Sequence, residues 1–105
     1  MWHISGNNLQ MAEGDYGFEL PVTIKGTTLS AADIIRITIK DEKNGATIIE
    51  RDMIPADNEV KLTLTEEESA LLPIGDYVYR LDWFQSGNFM CNIILCSAFK
   101  VVDKA

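Results

Sequence analysis

Histidine and cysteine are scarce in this sequence of 105 residues. His3, the single histidine, lies in a weakly patterned amino-terminal stretch, and the two cysteines are Cys91 and Cys96. A Ser-His-Asp or Cys-His catalytic site would have to recruit this one histidine, and the three residues lack the spacing of a metal-ligand set. The sequence therefore predicts no catalytic residue, no metal ligand and no cofactor-binding residue.

The two cysteines also predict no disulfide. They lie five positions apart on one predicted strand, so their side chains point to opposite faces of it. Two thiols in that arrangement cannot bridge without breaking the strand. We expect both Cys91 and Cys96 to stay reduced, which fits synthesis in a reducing cytoplasm.

Basic residues are outnumbered, with nine Lys and Arg against sixteen Asp and Glu and a net charge of −7. A surface of this sign argues against nucleic-acid phosphates and anionic membranes as partners. No apolar run reaches transmembrane length. The first ten residues have neither the basic nor the apolar region of a signal peptide, so we expect a protein made in the cytoplasm without one.

The acidic residues do not form an acid/base pair either. Glu66, Glu67 and Glu68 are adjacent on a predicted helical turn, so their carboxylates diverge and favour the helix amino terminus instead. A glycine-rich phosphate-binding loop is missing as well. Together these absences predict a protein that is not an enzyme.

What the sequence has in abundance is alternation of apolar and polar residues. Such stretches recur with turn signals about every eight to twelve residues, the pattern of a sandwich or barrel. Seven to eight short strands, with one short helical turn near residues 66–72, predict an all-β fold. We expect residues 1–105 to form a single immunoglobulin-like antiparallel β-sandwich domain. The predicted core residues are Phe18, Leu20, Val22, Ile35, Ile37, Val60, Leu62, Leu81 and Trp83.

Three local expectations accompany this fold. Leu9 and Met11 predict a first short strand, preceded by a loop from Ser5 to Asn8. Residues 30–33 have the composition of a single helical turn. The adjacent Ile48 and Ile49 leave the facing of their strand undecided.

Residues 65–83 contain the most informative local signals. Thr65 and Glu68 have the spacing of a capping box, and Pro73 ends the helical turn that follows. The strand after it begins with Tyr77. A short helix followed by a tyrosine-led strand is the layout of the E–F corner of immunoglobulin-like sandwiches, where the tyrosine hydroxyl bonds to upstream backbone. The alternative is an ordinary half-buried tyrosine.

The register of the last hairpin depends on whether its loop has an odd or an even number of residues. A loop of odd length centred on Gly87 pairs Trp83 with Cys91, Leu81 with Ile93 and Tyr79 with Leu95, and directs Asn92 outward. A loop of even length would place Asn92 opposite Leu81 in the core. Because a buried, unpaired amide costs about 1–3 kcal/mol, we predict the odd loop.

Four apolar residues are predicted to face outward on this hairpin. They form a candidate protein interface of Val78, Phe84, Met90 and Ile94. An apolar group of this size on an outer sheet face usually marks an interaction site. The alternative is that a loop or the amino-terminal segment, including Trp2, covers these side chains.

The carboxy-terminal half resembles a pattern in phage tail proteins. LTLTEEESALLPIGDYVYRLDW, a short turn and NIILCSAFKVV follow that pattern. The matching positions are Leu62, Leu64, Glu68, Leu71, Leu72, Gly75, Tyr77, Tyr79, Leu81, Phe99, Val101 and Val102. The family is the immunoglobulin-like amino-terminal domain of baseplate upper proteins, and the resemblance spans residues 14–103.

The resemblance implies a non-enzymatic structural domain of a phage or prophage tail, part of the virion. Its expected partners are other tail or virion structural proteins or further copies of this chain, with neither nucleic acid nor membrane among them. An alternative from another class is a bacterial surface or secreted module that recognises glycan or protein through its loops.

Overall fold

The computed structural model describes residues 3–5, 8–16, 20–26, 28–30, 32–42 and 45–103. Within these residues the chain is an all-β sandwich of eight strands and one short helix. The strands are β1 (His3–Ser5), β2 (Asn8–Ala12), β3 (Leu20–Thr23), β4 (Asp33–Lys40), β5 (Thr47–Met53), β6 (Glu59–Leu62), β7 (Gly75–Gln85) and β8 (Asn88–Val102), and the helix is α1 (Glu66–Ala70).

The strands form two sheets. The larger one has the order β1-β2-β8-β7-β4-β5, and the smaller one pairs β3 with β6. All neighbours are antiparallel except β2 and β8, which run parallel from Leu9 opposite Phe99 to Ala12 opposite Val102. The run β8-β7-β4-β5 corresponds to strands G, F, C and C′ of an immunoglobulin-like sandwich, and β3-β6 corresponds to B and E. The predicted fold class is therefore confirmed.

The core lies between the two sheets and contains most of the predicted residues. Those found buried are Ile35, Ile37, Val60, Leu62 and Leu81. Leu20, Val22 and Trp83 are half-buried and pack against this core, whereas Phe18 lies outside the described residues. The parallel pair adds four buried side chains, Leu9, Met11, Phe99 and Val101.

The β4–β5 hairpin explains the two adjacent isoleucines. Ile39 pairs with Ile49, but the next pair is Lys40 with Thr47, so the ladder contains a bulge at Ile48. Ile49 is buried, and Ile48 packs against the core from the bulge. A bulge places two residues opposite one, so both side chains contribute to the core.

The short strand predicted at Leu9 and Met11 is β2, but the loop predicted before it is too long at both ends. Ser5 belongs to β1 and Asn8 to β2, and the two residues lie opposite each other in an antiparallel pair. The single turn predicted at residues 30–33 is present, closed by Asp33 N–H, which donates to the Ser30 carbonyl at 3.1 Å. The Asp33 carboxylate accepts the Ser30 N–H at 2.7 Å, and such side-chain bonds compete with helix formation.

The corner between β6 and β7 has the predicted form. Glu68 N–H donates to the Thr65 hydroxyl at 3.1 Å, and Thr65 N–H donates to the Glu68 carboxylate at 2.9 Å, which completes the capping box of α1. The Tyr77 hydroxyl donates to the Pro73 carbonyl oxygen at 2.6 Å. Tyr77 is therefore the corner tyrosine, and this bond fixes the entry of β7.

The register of the β7–β8 hairpin differs from the prediction. The loop has two residues, Ser86 and Gly87, because Gln85 pairs with Asn88. Both loop residues have positive φ, as a type I′ turn requires. The loop of odd length is therefore wrong.

Irregularities along the ladder then change the pairing. One between Trp83 and Phe84 restores the predicted Trp83–Cys91 pair, and the next ones pair Leu81 with Ile94 rather than Ile93. Tyr79 lies opposite Ser97, not Leu95. Asn92 lies opposite Asp82, so its predicted outward facing is correct although the loop is not.

Candidate protein interface

The sheet face turned away from β3 and β6, here the outer face, is defined by Arg36, Thr38, Arg80, Asp82 and Phe84. These residues alternate along β4 and β7 with the buried core residues. They also pair directly, Arg36 with Asp82 and Thr38 with Arg80. This is the face on which the four predicted interface residues are expected to lie.

Three of those four residues remain candidates for a contact. Val78 and Phe84 are half-buried at outer-face positions, and Met90 is exposed. The outward facing predicted for Ile94 is wrong. It lies opposite the buried Leu81 and packs against the core, because the ladder irregularities shift β8 relative to β7.

Phe84 is the centre of an aromatic group at the end of the hairpin. Its ring contacts that of Phe89 edge to face, with 5.6 Å between ring centroids and 70° between planes. The Arg36 guanidinium carbon lies 4.4 Å from the Phe84 ring centroid, a cation–π contact. With the exposed Met90, these rings form what we call the hairpin patch: Phe84, Phe89 and Met90.

Arg36 connects the hairpin patch to the edge of the sheet. Its Nε lies 2.6 Å from Asp52 Oδ1 and its Nη2 lies 3.2 Å from Asp52 Oδ2, so the two side chains form a bidentate ion pair. Glu50 Oε1 lies 3.9 Å from the same Nε. The hydrogen bond with Asp52 raises the pKa of Arg36 and lowers the pKa of the Asp52 carboxyl. The guanidinium is therefore held in place beneath the Phe84 ring.

Asp82 is buried although it points away from the core, with 4 % of its surface exposed. Its carboxylate accepts a hydrogen bond from Arg80 Nε at 3.0 Å and another from the Asn92 side-chain amide. Thr38 is 1 % exposed, and its hydroxyl has no hydrogen-bond partner among the described residues. The outer face thus buries a carboxylate that has two hydrogen-bond partners and a hydroxyl for which the described residues supply none.

A cleft of about 370 Å³ opens on the other side of the hairpin, where the smaller sheet ends. It is lined by Thr23, Ile24, Lys25, Gly26, Trp83, Cys91 and Ile93. Trp83 Nε1 donates to the buried Asp33 carboxylate at 2.9 Å, which fixes the indole ring. Cys91 has an exposed, free thiol.

Asn58 holds the opposite wall of this cleft. Its backbone carbonyl accepts Ile24 N–H at 2.7 Å, and its side chain bonds Leu29 N–H at 2.8 Å and the Ile24 carbonyl at 3.2 Å. The residue has a φ of 60°, which asparagine tolerates better than most residues. Hydrogen bonds therefore fix this wall of the cleft. Among its described lining residues there is no pair of carboxylates or imidazoles for acid/base chemistry.

Sequence alternation identified the outward facing of Val78 and Phe84, but not the contacts that the charged side chains of this face make. Arg36 and Asp52 alternate with core residues, which predicts their face and not their contact across strands. An aromatic residue and an arginine at outward positions of neighbouring strands are the signal that indicates such a contact.

No family model, curated protein or solved structure matches the chain. In the part of the chain that the structure describes, His, Cys, Asp and Glu form no group of three that could hold a metal ion. The helical segment among those residues is too short to span a membrane.

Proposed function

We propose that this chain is a non-enzymatic docking domain that acts through protein–protein contacts. The observation that carries the proposal is the hairpin patch, in which the Phe84 ring contacts both the Phe89 ring and the guanidinium of Arg36. Phe89 is 55 % exposed and Met90 45 %. Aromatic side chains, methionine and arginine are the residues enriched in protein interfaces.

We further propose that the partner is another structural protein of a phage or prophage tail, at the baseplate, or a further copy of this chain. The support is the resemblance of residues 14–103 to the immunoglobulin-like amino-terminal domain of baseplate upper proteins. The fold is consistent with that resemblance and, like any fold, does not by itself specify a function.

Substitution of Phe84 tests the docking surface. Phe84→Glu removes the aromatic contact but leaves a carboxylate that Arg36 can neutralise, so we expect the fold to persist. The matched control is Ile54→Glu, which changes an exposed apolar residue outside the hairpin patch. Light scattering after size exclusion, alone and with the products of neighbouring tail genes, measures the assembly. We expect Phe84→Glu to lose a complex that wild type and Ile54→Glu form.

The outcomes separate the two parts of the proposal. A Phe84→Glu protein that keeps both its fold and its complexes shows that the hairpin patch is not the interface. A chain that binds no tail protein but does bind glycans on an array supports the alternative, a surface or secreted recognition module.

A further inference from the structure

β5 is an open edge of the six-stranded sheet. It is the last strand in the sheet order and pairs only with β4 among the described strands. It has seven residues and no proline, whereas β1 has three residues, β6 has four, and β3 has four including Pro21. About half of the N–H and C=O groups of an edge strand point away from the sheet. β5 is therefore the longest of the described edge strands, and beyond the bulge at Ile48 its ladder with β4 is regular from Ile49 to Met53.

The outer-face side chains of this edge are acidic. The Glu50 and Asp52 side chains are 52 % and 44 % exposed. Arg36 contacts both carboxylates from the β4 side, which leaves their other side open. Arg51, between them, belongs to the opposite face, where it forms an ion pair with Glu68 of α1. A strand added at this edge would therefore lie beside the carboxylates of Glu50 and Asp52 on the outer face.

Charge disfavours a second copy of β5 in the two registers that pair all of residues 49–53 with β5 of the other copy. When an antiparallel strand extends a sheet, residues directly opposite each other have their side chains on the same face, so outer-face residues must pair with outer-face residues. In the fully overlapping register Glu50 lies opposite Glu50 of the second copy. Sliding the copies one step so that Arg51 faces Arg51 places Glu50 opposite Asp52. Both registers place like charges directly opposite, which destabilises strand pairing.

We propose that the β5 edge binds an extended segment of a partner protein that carries Lys or Arg at every second position. The segment adds to the sheet beside β5, with its backbone bonded to β5 and its cations against Glu50 and Asp52. The net charge of −7 favours approach of such a segment. Arg36 makes the site continuous with the hairpin patch, because it contacts both Phe84 and Asp52.

The inference rests on the proposed docking function, because it assumes a protein partner. Its test is independent of the tail assignment and of Phe84. A fluorescent peptide with Lys at alternate positions, and Thr or Val between them, is titrated into the protein and followed by anisotropy. The matched peptide has Glu in place of every Lys. We expect the Lys peptide alone to bind, with an affinity that falls as salt is raised.

Charge reversal locates the site. Glu50→Lys/Asp52→Lys should weaken binding about tenfold, since two attractive cross-strand pairs become repulsive. The control Glu13→Lys/Glu67→Lys makes the same change in net charge at two exposed positions elsewhere and should change the affinity less than about twofold. If the first variant fails to fold, Glu50→Gln/Asp52→Asn replaces it, with an expected loss of about threefold.

Amide hydrogen exchange tests the mode of binding. Residues of β5 should gain protection with the Lys peptide, because strand addition bonds their outward N–H groups. Equal binding of the two peptides, equal loss in the two double variants, or unchanged exchange in β5 would each overturn the proposal. Loss of assembly in Phe84→Glu with intact peptide binding would separate this site from the hairpin patch.

Discussion

At the scale of single residues, Asp33 connects three parts of the chain. Its carboxylate accepts the backbone N–H of Ser30 at 2.7 Å and the indole N–H of Trp83 at 2.9 Å. These two hydrogen bonds, the former more strongly, hold the pKa of Asp33 below its ordinary value of 3.8. The start of β4, the turn before it and the indole in the cleft therefore depend on one ionised group.

Replacement of this carboxylate gives a prediction with a defined pH dependence. A carboxyl whose pKa is lower in the folded state contributes stability in full above its unfolded pKa and loses it as the pH falls through the folded pKa. Asp33→Asn should therefore melt at a lower temperature than wild type at neutral pH. The difference in melting temperature should narrow below about pH 3.8, the ordinary pKa of an aspartate side chain, and close once Asp33 of the wild type is protonated.

Thermal melts by circular dichroism from neutral to strongly acidic pH measure this. Glu67→Gln, a change of the same kind on an exposed residue, should follow the wild type throughout. A difference between Asp33→Asn and wild type that stays constant with pH would show that shape, not charge, gives Asp33 its role.

Residue-level features of the candidate site were only partly predictable. Phe84 was placed outward correctly, because alternation along β7 is regular up to that point. Ile94 was placed wrongly, because irregularities in the ladder lie between it and the turn. The burial of Thr38 and Asp82 was not foreseen either. The hydrogen bonds of Asp82 with Arg80 and with Asn92 of the neighbouring strand are side-chain contacts that a one-dimensional pattern does not contain.

At the scale of elements, the turn residues and the apolar pattern of the β7–β8 hairpin predict different loop lengths. Ser86 and Gly87 adopt the positive φ angles of a tight turn, which fixes an even loop. The apolar pattern requires Asn92 to avoid the core. The chain satisfies both, because an irregularity after Trp83 changes the parity of the pairing. In a regular ladder the two signals exclude each other, which is why the sequence pattern predicts the wrong loop.

The turn supplies the second prediction. Gly87 has a φ of 85°, and a Cβ placed there would meet nothing within 4 Å. Gly87→Ala should therefore lower the free energy of unfolding by about 1–2 kcal/mol through backbone conformation alone. Denaturant unfolding measures the loss. Gly75→Ala is the control: its Cβ makes ordinary contacts, the nearest at 3.7 Å, and its φ is not in the left-handed region. Equal stability of the two variants would contradict the turn assignment.

By contrast, α1 and its corner were predicted in detail. Thr65 bonds to Glu68, three residues away, and Tyr77 bonds to Pro73, four residues away. Local contacts of this kind are encoded by spacing, so a sequence reveals them. The parallel pairing of β2 with β8 joins residues at opposite ends of the described chain, and no spacing indicated it.

At the scale of the whole molecule, the core is shared by both sheets. Leu81 of β7 has no exposed surface and belongs to the same cluster as Val60 and Leu62 of β6. Leu81→Ala should lower the free energy of unfolding by about 2–5 kcal/mol through loss of contacts and an unfilled cavity. Urea unfolding followed by tryptophan fluorescence and by circular dichroism should give coincident curves with an unchanged slope.

The control for that experiment is Leu71→Ala, at a leucine that is 56 % exposed, with an expected change within about 0.5 kcal/mol. Separate transitions by the two probes would show that the two sheets unfold independently. A loss from Leu81→Ala as small as that of the control would contradict the position of Leu81 at the centre of the core.

The parallel β2–β8 ladder has a mechanical consequence. Tension applied through the two ends of the domain pulls β2 toward its amino terminus and β8 toward its carboxy terminus. Because these strands run side by side in the same direction, the load acts along them and strains every hydrogen bond from Leu9–Phe99 to Ala12–Val102 at once. An antiparallel pair pulled from one end would instead open bond by bond. Once the short β1 has detached, the fold thus resists stretching where its first and last long strands meet.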